Sequence, residues 1–156
     1  MYKRQARCYS DRTFGDIYAE RTMTRAEVEH AVSMFFNDVR LKTYVEIRPA
    51  DAMPIPYVIA YAALIKGLFY DAASLDALDA LFANVRAPDV EIAKKDLMAQ
   101  GYDAEVYGQP AGRLCDKVLA IAECGLDDDD AAFLAPLARL IERRTTLADL
   151  AEAEAV

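Results

Sequence analysis

The chain has 156 residues, of which 54% are apolar and 10% aromatic; this excludes a wholly disordered polymer and is enough for one buried core. Its net charge is −8 at pH 7, so it repels a phosphate backbone as a whole and no nucleic-acid partner is expected. The N-terminus has no signal-like apolar stretch, and the longest apolar run, Ile55 to Tyr70, carries Lys66 and is too short for a membrane span, so no membrane partner and a cytoplasmic location are expected.

In chain order, Met1 to Gln5 reads as a foreign start joined to an interior sequence, and is set aside. Ala6 to Met23 mixes charge and aromatics (Arg7, Tyr9, Arg12, Phe14, Tyr18, Arg21) around Gly15, and reads as an irregular connection with room for a short helical turn. One glycine is too little for a phosphate-cradling loop. Thr24-Arg-Ala-Glu27 is a capping box: the threonine oxygen accepts from the third helical amide while Glu27 accepts from the cap amide. It predicts a helix from Arg25 to about Phe35, with Val28, Ala31, Val32 and Phe35 on one stripe. His30, the single histidine, has no partner ligand at metal spacing.

From Val39 to Asp51 the sequence alternates strictly. Val39, Leu41, Thr43, Val45 and Ile47 share one parity; Arg40, Lys42, Tyr44, Glu46 and Arg48 share the other. Period-two alternation with β-branched residues predicts a half-buried strand, its apolar side on a core. Same-side neighbours on a strand are about 7 Å apart, so Glu46 and Arg48 could reach one ligand. An ordinary strand with a solvated charged side fits the same pattern. Pro49 removes a backbone donor and ends the strand.

After the prolines at 54 and 56, Ile55 to Phe69 is apolar nearly all round and predicts a buried helix. The remainder is helical and acidic. Ser74 starts a helix to about Asn84, Pro88 and Asp89 open one to Gln100, and Tyr102 to Pro110 is a turn-rich connection. Ala111 to Cys124 is helical and ends at Gly125. Asp127 to Asp130 lead into a helix carrying Phe133, Leu137, Leu140 and Ile141, with Pro136 either kinking it or marking its first turn. These carboxylates read as helix-start charges, because the run lacks the glycine and trailing glutamate of a calcium loop. Thr146 starts a last short helix, and the tail from Ala151 is expected to fray. Cys8, Cys115 and Cys124 read as reduced thiols, the last two in the core.

The run Val39-Arg-Leu-Lys-x-Tyr-Val-Glu-Ile-Arg-x-Ala-Asp51 resembles the signature strand of the glutamate–cysteine ligases of the bacterial and plant type. The approach Glu29-His30-Ala-Val-Ser-Met-Phe-Phe-Asn-Asp-Val-Arg40 and the apolar helix Tyr57 to Tyr70 are similar to the family's flanking segments. The likeness is strong over residues 24–71, and Pro49 stands where relatives often have glycine.

The resemblance implies an α+β chain, mostly helical, with one or two strands of an antiparallel, glutamine-synthetase-like catalytic sheet backed by a helical bundle. It implies that residues 6–156 are a C-terminal portion of a longer ligase, inactive alone, whose partner is the missing N-terminal portion. An excised strand with open edges would also favour a homo-oligomer. The implied reaction joins the γ-carboxyl of glutamate to the amine of cysteine at the expense of ATP, with Mg²⁺. In that scheme Glu46 is a catalytic residue and a magnesium ligand, and Arg48 contacts the transferring phosphoryl group or the glutamyl carboxylate. Arg40, Lys42, Tyr44, Asp51 and His30 are binding candidates, with Asp51 capping the buried helix or orienting Arg48. A related ligase with another acceptor amine, or a non-catalytic helical module, remains open on the sequence.

Overall fold

The computed structural model describes residues 11–34, 37–41 and 43–154. The stretch 1–5, Arg7, Cys8, Tyr9, Phe35 and Lys42, all singled out above, lie outside the described residues. The chain forms two units, Met1–Asp51 and Ala52–Val156.

In the first unit, α1 (Phe14–Ile17) is a single turn capped by Thr13, whose hydroxyl accepts from the Asp16 amide at 3.2 Å. The expected connection thus holds a capped turn. The predicted capping box starts α2 (Arg25–Ser33): the Glu27 amide donates to Thr24 Oγ1 at 3.3 Å, and the Thr24 amide donates to Glu27 Oε2 at 2.9 Å. Arg21 grips Glu27 from outside and lies over the Tyr18 ring, 4.8 Å from its centroid. The stripe side chains Val28 and Val32 are exposed.

The alternating stretch is two strands instead of one. β1 (Val39–Leu41) and β2 (Val45–Ile47) pair antiparallel, with Val39 opposite Ile47, Arg40 opposite Glu46 and Leu41 opposite Val45. The Arg48 amide extends the ladder to the Asp38 carbonyl at 2.8 Å. Each pair joins residues of equal parity, so the reversal between Leu41 and Val45 leaves the alternation unbroken. A period-two pattern is therefore blind to this hairpin.

The two sides are also reversed from the expectation. Val39, Leu41 and Val45 are 55%, 79% and 61% exposed, whereas the Arg40 side chain is only 11% exposed. The reason is the C-terminal end of α2, whose carbonyls carry partial negative charge and attract a cation. Arg40 Nη2 donates to the Ser33 carbonyl there, at 3.5 Å.

The second unit is helical: α3 (Ile55–Phe69), α4 (Ala72–Phe82), α5 (Ala87–Gln100), α6 (Ala111–Cys124), α7 (Asp128–Ala131), α8 (Ala135–Arg143) and α9 (Leu147–Glu154). Its main core gathers Ala63, Leu68, Ala122 and Leu134 where α3 and α6 cross. The crossing is close because Gly67 and Gly125 have no Cβ. One built on Gly67 would lie 2.2 Å from the Ala122 carbonyl oxygen, and one on Gly125 would lie 2.1 Å from the Gly67 carbonyl oxygen. A smaller core of Ala93, Ala104, Val106 and Ala111 joins α5 to α6.

The segment 102–110, expected as a connection, contains a second hairpin, β3 (Glu105–Val106) and β4 (Gln109–Pro110). Its tip needs two positive φ angles, 52° at Tyr107 and 74° at Gly108. Only Gly108 is suited to that by type. Tyr107 is held instead by edge-to-face packing on Phe82, with ring centroids 5.9 Å apart.

Other expectations change in detail. α3 is buried on one side, at Ala60, Ala63, Gly67 and Leu68, while Ile55, Val58, Ile59 and Phe69 are exposed. Composition alone cannot show which side of an all-apolar helix is covered. Asp71, not Ser74, caps α4; Ser74 is buried and donates to the Ile121 carbonyl at 3.2 Å. α9 continues to Glu154, so residues 151–154, expected to fray, are helical. Its start is secured by the Asp149 amide donating to Thr146 Oγ1 at 3.1 Å. Pro136 sits in the first turn of α8, where its missing amide costs nothing. Cys115 is half-buried and Cys124 is exposed, so only the first approaches the core setting expected of both. No single helix among the described residues is long and apolar enough to cross a membrane.

Candidate active site

The charged side of the first hairpin brings together three of the residues selected from the sequence. Glu46 stands between two guanidinium groups. Its Oε2 lies 3.7 Å from Arg40 Nη1, and its Oε1 lies 3.8 Å from Arg48 Nε. Cross-strand pairing sets the first contact, since Arg40 and Glu46 are opposite one another; the two-residue repeat of β2 sets the second. All three side chains are sheltered, at 11%, 32% and 27% exposure for Arg40, Glu46 and Arg48. Arg40, which pattern alone could leave solvated, is the most sheltered of them.

The register adds Asp38, which lies one residue before the alternating stretch that starts at Val39. Its backbone is bonded to that of Arg48, directly across the ladder. Along the pairing, acid and base therefore alternate: Asp38 is bonded through its backbone to Arg48, and Glu46 is opposite Arg40. The signal for Asp38 was present in its even number, but it becomes visible only once the reversal is known.

Tyr44 and His30 fall elsewhere. Tyr44 lies in the reversal between the strands and is 57% exposed. His30 is exposed on α2, two residues on from Val28, and so on the opposite side of the helix from Val28 and Val32. Asp51 does not cap α3: the cap position is Pro54 and carries no side-chain hydrogen bond. Beside Arg40, a groove of about 610 Å³ runs between α2 and the hairpin, lined by Val28, Val32, Ser33, Arg40, Leu41 and Thr43.

A resident divalent cation fits this set poorly. Among the described residues no group of three or more His, Cys, Asp or Glu side chains is gathered to hold one. Glu46 offers a carboxylate, but a guanidinium stands at each of its oxygens. A cation bound there would face two like charges within about 4 Å of its ligand. What the arrangement suits is an oxyanion approached by arginines of fixed direction.

Elsewhere, Arg144 clamps α6 to the end of α8. Its Nη1 and Nη2 donate to Asp116 at 2.7 and 2.6 Å, and Nη1 also donates to the Gly112 carbonyl at 2.9 Å. That hydrogen bonding holds the Asp116 carboxyl below its ordinary range. Burial pushes the neighbouring Cys115 thiol up, away from a reactive thiolate. These groups are structural in their geometry.

Comparison with curated proteins gives no match. The family model for glutamate–cysteine ligase family 2 matches residues 2–152, nearly the whole chain and including the hairpin with Arg40, Glu46 and Arg48, so the chain belongs to the glutamate–cysteine ligase family 2.

Proposed function

We propose that the chain supplies the arginine-bearing part of an ATP-dependent ligase that joins the γ-carboxyl of L-glutamate to the amine of L-cysteine. The observation that carries this reading is the sheltered Arg40–Glu46–Arg48 cluster in a chain of this family. A carboxylate is a poor acyl donor at neutral pH. In the proposed reaction a glutamate γ-carboxylate oxygen attacks the terminal phosphorus of ATP, the bond from that phosphorus to ADP breaks, and γ-glutamyl phosphate forms. The cysteine amine then attacks the acyl carbon. The bond from that carbon to the phosphate oxygen breaks, inorganic phosphate leaves, and the nitrogen loses a proton.

Both steps move negative charge between oxygens, and fixed guanidinium groups stabilise such charge. Arg48 is assigned to the glutamyl carboxylate or the phosphoryl group in transfer. Arg40, anchored on α2, is assigned to a second oxyanion of the same substrates. Tyr44, Asp51, His30 and Lys42 are given no role in either step. Mg²⁺ is expected with ATP, and no step is assigned to it at Glu46.

The test is formation of γ-glutamylcysteine and ADP by the natural protein that carries this chain, compared with its Arg48→Ala variant. Removing a preorganised donor of this kind costs about 10²–10³ in kcat. A folded Arg48→Ala protein with near-normal turnover would overturn the assignment.

A further inference from the structure

We infer that Glu46 is a positioning residue: its carboxylate straddles Arg40 and Arg48 and fixes the direction of both guanidinium groups toward a shared oxyanion, instead of ligating a metal. The inference rests on the arginine role proposed above, but it is read from geometry alone. Three features carry it. Each oxygen of Glu46 serves a different arginine, Oε2 at 3.7 Å from Arg40 and Oε1 at 3.8 Å from Arg48. Arg40 lies in β1 and Arg48 just past the end of β2, so the two arginines come from opposite arms of the hairpin, with the Glu46 carboxylate between them. Arg40 is fixed at a second point, the Ser33 carbonyl at the end of α2, so Glu46 links the direction of Arg48 to a helix.

The consequence is specific. A long arginine side chain loses rotamer freedom when it grips a ligand, and a carboxylate that already holds it reduces that loss. Glu46 should therefore act on the arginines, and through them on bound oxyanions, while leaving affinity for a divalent cation alone. A metal ligand would do the reverse.

The experiment uses the chain itself, labelled with ¹⁵N, with Glu46→Gln and the charge-conserving Glu46→Asp beside the unaltered protein. The first reading is the Nε–H resonances of Arg40 and Arg48. In Glu46→Gln both should move and broaden, and in Glu46→Asp they should return part of the way. The second is the same two resonances during titration with inorganic phosphate and, separately, with L-glutamate. The anion that fits should shift both together in the unaltered protein, with at least a threefold loss of affinity in Glu46→Gln. The phosphate and glutamate arms tell which oxyanion it is. The third is paramagnetic broadening of the Val45 and Ile47 amides by Mn²⁺ alone.

Absence of local broadening, or broadening unchanged in Glu46→Gln, supports the inference; broadening that Glu46→Gln abolishes overturns it. Arginine resonances indifferent to Glu46→Gln overturn it as well, as does failure of both anions to shift them. Unchanged amide resonances in α2, in the same unit as the hairpin, show that the variants fold. Because no reading uses turnover, a protein that fails to make γ-glutamylcysteine but passes these tests would refute the proposed reaction and leave the positioning role standing.

Discussion

At the residue scale, the clearest work of charge in this chain is the closing of helix starts. Four carboxylates close local structure: Asp16, Glu27, Asp89 and Asp149 each accept from a backbone amide at or near a helix start. Glu27 is held furthest below its ordinary range, first by hydrogen bonding from Arg21 and then from the Thr24 amide. The sign of the pH effect follows. A carboxyl whose folded value is depressed contributes stability above its unfolded value, near about 4, and that contribution is lost as pH falls through the folded value. Acid should therefore weaken the α2 end of the first unit, and Glu27→Gln should cost stability at neutral pH but nothing once Glu27 is protonated. Circular dichroism melts of both proteins from pH 7 down to about 2 check this: the gap should narrow steadily once the pH is below about 4, and a gap of constant size across the range would refute it. The cap itself was readable, since Thr24 and Glu27 have the required spacing. Arg21 was not, because its reach to Glu27 depends on how α1 leads into α2.

At the element scale, the crossing of α3 on α6 decides the second unit. Gly67 and Gly125 allow one backbone to approach another, and Ser74 ties α4 to α6 at the same place. A methyl group at Gly67 would collide with the backbone of Ala122, which can move only if a whole helix moves. Gly67→Ala should therefore cost about 3 kcal/mol or more, toward the upper end for overpacked cores. Gly112→Ala meets the Arg144 side chain, with the nearest atom, Nε, at 2.7 Å. That side chain can swing out at the loss of a half-exposed ion pair, so about 1 kcal/mol is expected. Urea titration gives both values, and equal costs would contradict the distinction between backbone and side-chain obstacles. Sequence periodicity found most helices here, because caps, prolines and the glycines at 101 and 125 punctuate them. It missed the β3–β4 hairpin because Tyr107 occupies a position with a positive φ that a turn rule would give to asparagine or glycine.

At the scale of the whole molecule, the two units differ in what holds them. Both buried clusters belong to Ala52–Val156, while no described residue of Met1–Asp51 is buried. Hydrogen exchange should follow that division, with the slowest amides in α3 and α6 and the fastest in α2 and the first hairpin. Exchange that is uniformly slow across both units would mean that the first hairpin and α2 have cover beyond what the chain itself shows. The sequence by itself determined the helical class, most helix limits and the family signature, and marked Arg40, Glu46 and Arg48 as candidates, because caps, periodicity and residue type are local properties. Only the tertiary structure decided that the signature strand reverses, that its charged side is the sheltered one, that Asp38 joins the set and that Glu46 lies between two arginines. The physical reason is that pairing register and burial depend on which distant residues meet, and an alternation of equal parity across a hairpin leaves no local trace of the meeting.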